Sequence, residues 1–164
     1  MEIMSLSRKH LNYQTADCCF DPEYLAERIR EALSCVRIAF LMGSAKDGVV
    51  KVGSDVDVAL LLEKDADMSV RSKVYSVLTD LLDEIAPGAM ADIGILNQTE
   101  PVYRFETLKG RLLFARDIDE YAAFYSLTCR EYESQMADYE RQRQYRVEAD
   151  GSRSRQGFEG VVHL

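Results

Sequence analysis

The sequence is poor in the residues that hold soft metals. It has two histidines and four cysteines, Cys18, Cys19, Cys35 and Cys129, none of them in a C-x-x-C pair. A zinc site, which draws its ligands from such residues at close spacing, is not expected. Reduced thiols of a cytoplasmic protein are the plain reading. No apolar run approaches the roughly 20 residues that span a bilayer, and the N-terminus shows no basic-then-apolar leader, so the cytoplasm is the expected compartment. Positive charge is short as well, with 20 Lys and Arg against 28 Asp and Glu, a formal charge of -8. A surface that neutralises nucleic-acid phosphates needs a basic stripe; this balance argues against one and fits a basic partner or a metal-bound nucleotide. At 164 residues and 47% hydrophobic, the chain has the size of one domain that buries about two thirds of its unfolded surface.

The stretch Phe40 to Leu62 reads F-L-M-G-S-A-K-D-G-V-V-K-V-G-S-D-V-D-V-A-L-L-L. An apolar run turns at Gly43-Ser44, crosses a glycine-containing loop and re-emerges as a second apolar run that opens with Asp55-Val56-Asp57. Side chains alternate along a strand, so Asp55 and Asp57 project to one face, roughly 7 Å apart along the backbone. Folding alone gives no reason to place two like charges there, because they cost stability unless paired or metal-bound. Oxygen-only ligands suit Mg²⁺ or Mn²⁺. A strand ending in Gly-Ser and followed by a helical turn offers backbone N–H groups and a hydroxyl to a phosphate. Together these are the equipment of phosphoryl or nucleotidyl transfer.

The rest of the chain follows in order. Residues 1–20 are weakly patterned and read as an N-terminal extension. Asp21-Pro22-Glu23 is a helix start, with Asp21 as N-cap and Pro22 at the first helical position, and Leu25, Ile29 and Leu33 give the helix its apolar stripe; Arg28 and Arg30 face solvent. Val36 to Met42 is a core strand, 44–48 a helical turn, 49–54 a loop and 55–62 a second strand. A charged turn leads to a helix from about Ser69 to Ile85, stopped by Pro87-Gly88. Met90 to Leu96 is a third strand carrying Asp92 within apolar residues; from this segment alone, a paired edge carboxylate and a site residue are equal readings. Pro101 to Leu108 is a helix, and Lys109 to Phe114 a turn into a short strand. Asp117 to about Arg146 has neither Pro nor Gly and reads as one helix capped by Asp117, about 45 Å long at the helical rise. Ile118, Ala122, Tyr125, Cys129, Tyr132, Met136 and Tyr139 form its expected seam. Its distal half is either a partner surface or a solvated end, and the Gly/Ser/Arg-rich residues from Val147 read as a disordered tail. The expected organisation is therefore an extension over 1–20, a core over 21–116, a long helix over 117–146 and a flexible tail over 147–164.

Gly43-Ser44, ten intervening residues and Asp55-x-Asp57 resemble the G-S-x10-D-x-D signature of minimal nucleotidyltransferases of the DNA polymerase beta superfamily. The resemblance spans about 36–120 and implies an α/β (α+β) fold with a small mixed sheet flanked by helices. It also implies a third carboxylate from the next strand, the place that Asp92 fills. Implied with it are Mg²⁺ or Mn²⁺ on Asp55, Asp57 and Asp92, ATP as substrate, and phosphate contacts from Gly43, Ser44 and Lys46; for Lys46, a solvated side chain is the competing reading. Many family members carry an arginine soon after Gly-Ser, whereas Ala45-Lys46-Asp47 stands here. Small nucleotidyltransferases of this size resemble antitoxins paired with a HEPN-domain RNase toxin, which implies transfer of AMP from ATP to a tyrosine of that toxin. A binding-only antitoxin and an aminoglycoside-like nucleotidyltransferase are the alternatives, with a nucleic-acid terminal transferase behind them.

Overall fold

The computed structural model describes residues 15–156. Its elements in chain order are β1 (Cys18–Cys19), α1 (Pro22–Ala32), β2 (Val36–Met42), a 3-10 turn (Gly43–Ala45), β3 (Val49–Val50), β4 (Asp55–Leu62), α2 (Met68–Ile85), β5 (Met90–Ile95), a second 3-10 turn (Leu96–Gln98), α3 (Pro101–Thr107), β6 (Arg111–Ala115) and α4 (Ile118–Gln156). The helix starts follow from their caps. The Asp21 carboxylate accepts from the Glu23 N–H with Pro22 opening α1, Asp67 accepts from Val70 N–H at α2, and Asp117 accepts from the N–H groups of Asp119 and Glu120 at α4.

Four strands form the main sheet in the order β5-β4-β2-β6, with β4 antiparallel to β2, β2 antiparallel to β6, and β5 parallel to β4. The parallel pair requires the crossover that α2 supplies. Alternation along the strands then sorts the two faces. Val56, Val58, Leu60 and Leu62 of β4 pack with Leu25 and Ile29 of α1 and Val74, Leu78 and Leu82 of α2. The opposite face carries Ile38, Phe40 and Ala59 against Phe124 of α4, with Met42, Leu61 and Tyr121 at its margin. Asp55 and Asp57 fall in register with Ala59 and Leu61, and so belong to this second, α4-covered face.

Three expectations change. Residues 49–54 are not all loop: Val49 and Val50 pair antiparallel with Cys19 and Cys18, a short ribbon whose two-residue strands carry too little pattern to be read from sequence. The last helix continues ten residues past its expected end, through 147–156 to Gln156, because Gly151 lowers helix propensity without forbidding it; the rest of the expected tail, like residues 1–14 of the extension, lies outside the described residues. The seam of α4 is also rotated in its first turns, while Cys129, Tyr132 and Met136 of the expected seam are half-buried. Phe124 and Thr128 are its buried residues, whereas Ile118 is 72% exposed, Tyr125 46% and Tyr139 52%. The stripe that α4 buries continues from Phe124 through Tyr132, which stacks on Phe105 of α3 with ring centroids 3.9 Å apart, and Glu131, paired with Arg104. Among the described residues no helix is long and apolar enough to cross a membrane.

Candidate active site

Gly43 opens the 3-10 turn after β2 with φ 65°, a conformation that glycine adopts at no steric cost. Space gives a second reason for glycine. A Cβ at this position would stand 2.2 Å from Oδ2 of Asp57, so the Asp57 carboxylate lies directly on the Gly43 backbone. The turn beyond it exposes Ser44 and Lys46 and buries Ala45, leaving hydroxyl, ammonium and backbone at the surface beside that carboxylate. Asp47 is exposed. The loop is braced from the N-terminal side, because Phe20 N–H donates to the Gly48 carbonyl at 2.8 Å and the Asp17 carboxylate accepts from Val52 N–H at 2.9 Å.

Asp57 pairs in register with Met42 on one side and with Asp92 on the other. Parallel register partners share a face, and adjacent strands lie about 5 Å apart, so Asp57 and Asp92 stand side by side, with Asp55 one pleat away. Burial, then Asp92, then Asp55 push the Asp57 pKa upward. Loss of water around the carboxylate is the leading cause, and the two like charges beside it add to the shift. The structure thus brings Asp55, Asp57 and Asp92 to one end of one sheet face with Gly43 against Asp57, and leaves Ser44 and Lys46 exposed on the turn that follows.

The donor set is all oxygen, which suits a hard divalent cation. Among the described residues, however, no three His, Cys, Asp or Glu side chains converge tightly enough to cage an ion by themselves.

One neighbour was absent from the sequence reading. Tyr103 of α3 lays its hydroxyl over Gly94, where a Cβ would meet it at 2.2 Å, and its pKa is pushed upward by burial, then by Asp92 and Asp57. A glycine inside an apolar strand signals close approach by another group, so Gly94 was the available clue. A cavity of about 560 Å³ lined by Arg71, Tyr75, Ile95 and Gln98 flanks the far end of β5 and contains none of the three carboxylates.

Residues 26–119 match the family model described as polymerase beta, nucleotidyltransferase. The chain belongs to this nucleotidyltransferase family. No curated protein matches it. Among solved structures, a chain of a toxin-antitoxin complex with AMP-PNP superposes with a TM-score of 0.59 at 20% identity, over 79% of this nucleotidyltransferase and 98% of that chain. A chain from tri-AMPylated Shewanella oneidensis HEPN toxin in complex with MNT antitoxin gives 0.54 at 19% identity, over 79% and 98%. One from the MntA-HepT toxin-antitoxin gives 0.54 at 19%, over 78% and 94%. At these identities the likeness is one of fold: a small mixed sheet with flanking helices and a long terminal helix.

Proposed function

We propose that this nucleotidyltransferase is an antitoxin that transfers AMP from ATP to a tyrosine of a HEPN-domain toxin and so silences it in the cytoplasm. The observation that carries the reading is the register pairing of Asp57 with Asp92, beside a Gly43 backbone on which Asp57 rests. The solved complexes of similar fold, which include a tri-AMPylated HEPN toxin with its MNT antitoxin and a toxin-antitoxin with AMP-PNP, support the choice of nucleotide and acceptor.

In this reading, residues 21–116 are the catalytic core and α4 is the docking arm. Divalent ions bound to Asp55, Asp57 and Asp92 would supply charge neutralisation at the triphosphate and at the attacking oxygen. The Gly43 and Ser44 amides and the Ser44 hydroxyl hold the distal phosphates, with Lys46 adding charge from the rim. The tyrosine oxygen attacks the α-phosphorus, an O–P bond forms, the bond to the β-phosphate oxygen breaks, and pyrophosphate leaves. Asp92 takes the phenolic proton.

The test follows label from α-labelled ATP into a HEPN partner, comparing wild type with Asp55→Asn/Asp57→Asn. Label on a partner tyrosine, lost in the double variant while the complex still forms, is the expected result. Inhibition of the partner without label, unchanged in the double variant, would replace catalysis by binding alone.

A further inference from the structure

Met68, Arg71, Ser72 and Tyr75 stand at helical spacing on one flank of α2, beside the flank of Val74 and Leu78 that closes the core. This second stripe meets Ile95 and Gln98 across the cavity of about 560 Å³ at the far end of β5, a size ordinary for a small-ligand site. Its walls are held from behind. The Asn97 side-chain amide accepts from the Leu62 N–H at 2.9 Å and donates to the Leu62 carbonyl at 2.8 Å, which ties the 3-10 turn carrying Gln98 to the end of β4. Asp67 caps the helix wall through the Val70 N–H.

The groups that line the cavity are, by contrast, unused. Arg71 is half-buried, yet its Nε reaches only the Ala66 carbonyl at 3.4 Å, long for a hydrogen bond, and among the described residues it has no carboxylate partner. The Tyr75 ring, 42% exposed, has no ring contact and the Gln98 amide no hydrogen bond among the described residues. Charge separates this cavity from its neighbours. None of its lining residues is acidic, although the chain stands at -8 and the cavities beside Glu84, Glu131 and Glu148 all carry carboxylates. A half-buried guanidinium without a counter-charge is costly until an anion meets it, and an unstacked ring beside it suits a planar group.

We propose that this cavity binds a nucleoside monophosphate at a site separate from the three carboxylates, with Arg71 and the Ser72 hydroxyl on the phosphate, Tyr75 stacked on the base and Gln98 hydrogen-bonded to its edge. One guanidinium and no metal-ligating carboxylate suit a single phosphate group rather than a triphosphate.

The proposal is tested by calorimetric titration of the full chain in chelator with AMP, adenosine or inorganic phosphate, beside thermal midpoints of each variant. AMP is expected to bind one per chain, more tightly than adenosine or phosphate. Arg71→Gln should weaken AMP about tenfold or more, Tyr75→Ala about fivefold or more, and Asp55→Asn/Asp57→Asn should bind it like wild type. If Arg71→Gln or Tyr75→Ala melts early, Gln98→Ala at an exposed position takes its place, with a loss of about threefold or more. No binding of AMP by wild type, unchanged affinity in Arg71→Gln, or loss of binding in the double aspartate variant would overturn the proposal. Phosphate binding as tightly as AMP would overturn it as well, by removing the base from the site. The titration holds neither divalent ion nor acceptor, so its failure leaves the transfer reading standing.

Discussion

Asp57 concentrates the electrostatic tension of the site in one side chain. Its pKa is raised by burial, Asp92 and Asp55, and a carboxylate whose folded pKa exceeds its unfolded one binds its proton more tightly in the native state. Without divalent ions, the stability linked to this group is fully present below the ordinary carboxylate value of 3.8 and is lost as pH rises through its higher folded pKa. Asp57→Asn removes that loss. In melts with chelator, the variant should equal or exceed wild type at neutral pH, and its advantage should vanish on acidification; Mg²⁺ with ATP should then stabilise wild type far more than the variant. A variant that melts below wild type at neutral pH in chelator would contradict the account. The carboxylates were legible in the sequence because D-x-D at the start of an apolar run has one geometric meaning. Tyr103 was legible only in part: Gly94 signals a close approach, but which side chain makes it depends on how α3 crosses β5.

At the scale of elements, strands and caps were read from the chain more faithfully than faces. β2, β4, β5 and their flanking helices follow from apolar runs, the Asp21-Pro22 start and the Pro87-Gly88 stop, whereas the Asp67 cap of α2 was hidden in a charged turn. α4 shows where that reading fails. Its apolar residues are spread around much of the helix, so a heptad seam through Ile118 and Tyr125 and a stripe through Phe124 and Thr128 both suit the sequence. Tertiary packing chose the second, because Phe40 of β2 offers its ring to Phe124 and Tyr121 at 6.3 Å each. Paired truncations test the choice: Phe124→Ala should cost about 3 kcal/mol in chemical denaturation, and Tyr125→Ala about 0.5 kcal/mol or less. Equal costs would restore the heptad seam. Under the proposed function the exposed flank of Ile118 and Tyr125 is where the HEPN toxin docks, and Tyr125→Ala should weaken that binding more than it weakens the fold.

For the molecule as a whole, the sheet divides labour between its faces. One face is closed by α1 and α2 into the larger core, while the other is closed by α4 only over the middle of β2 and β4. The end of that second face stays open to hold Asp55, Asp57 and Asp92. The ribbon of β1 and β3 and the brace from Phe20 to Gly48 fix the glycine turn at this open end, a link between distant short segments that sequence patterning could not show. The acidic balance of the chain fits the metal-bound nucleotide and the basic partner that the proposed function calls for.

A catalytic antitoxin and a binding antitoxin differ most plainly in stoichiometry. RNase activity of a HEPN partner would be measured with ATP and Mg²⁺ while the nucleotidyltransferase is held at a molar ratio far below one, beside Asp55→Asn/Asp57→Asn at the same ratio. The account predicts progressive and complete loss of RNase activity with wild type, persisting after the nucleotidyltransferase is removed, and none with the double variant. Inhibition that needs equimolar protein, is equal for both forms and reverses on separation would contradict it.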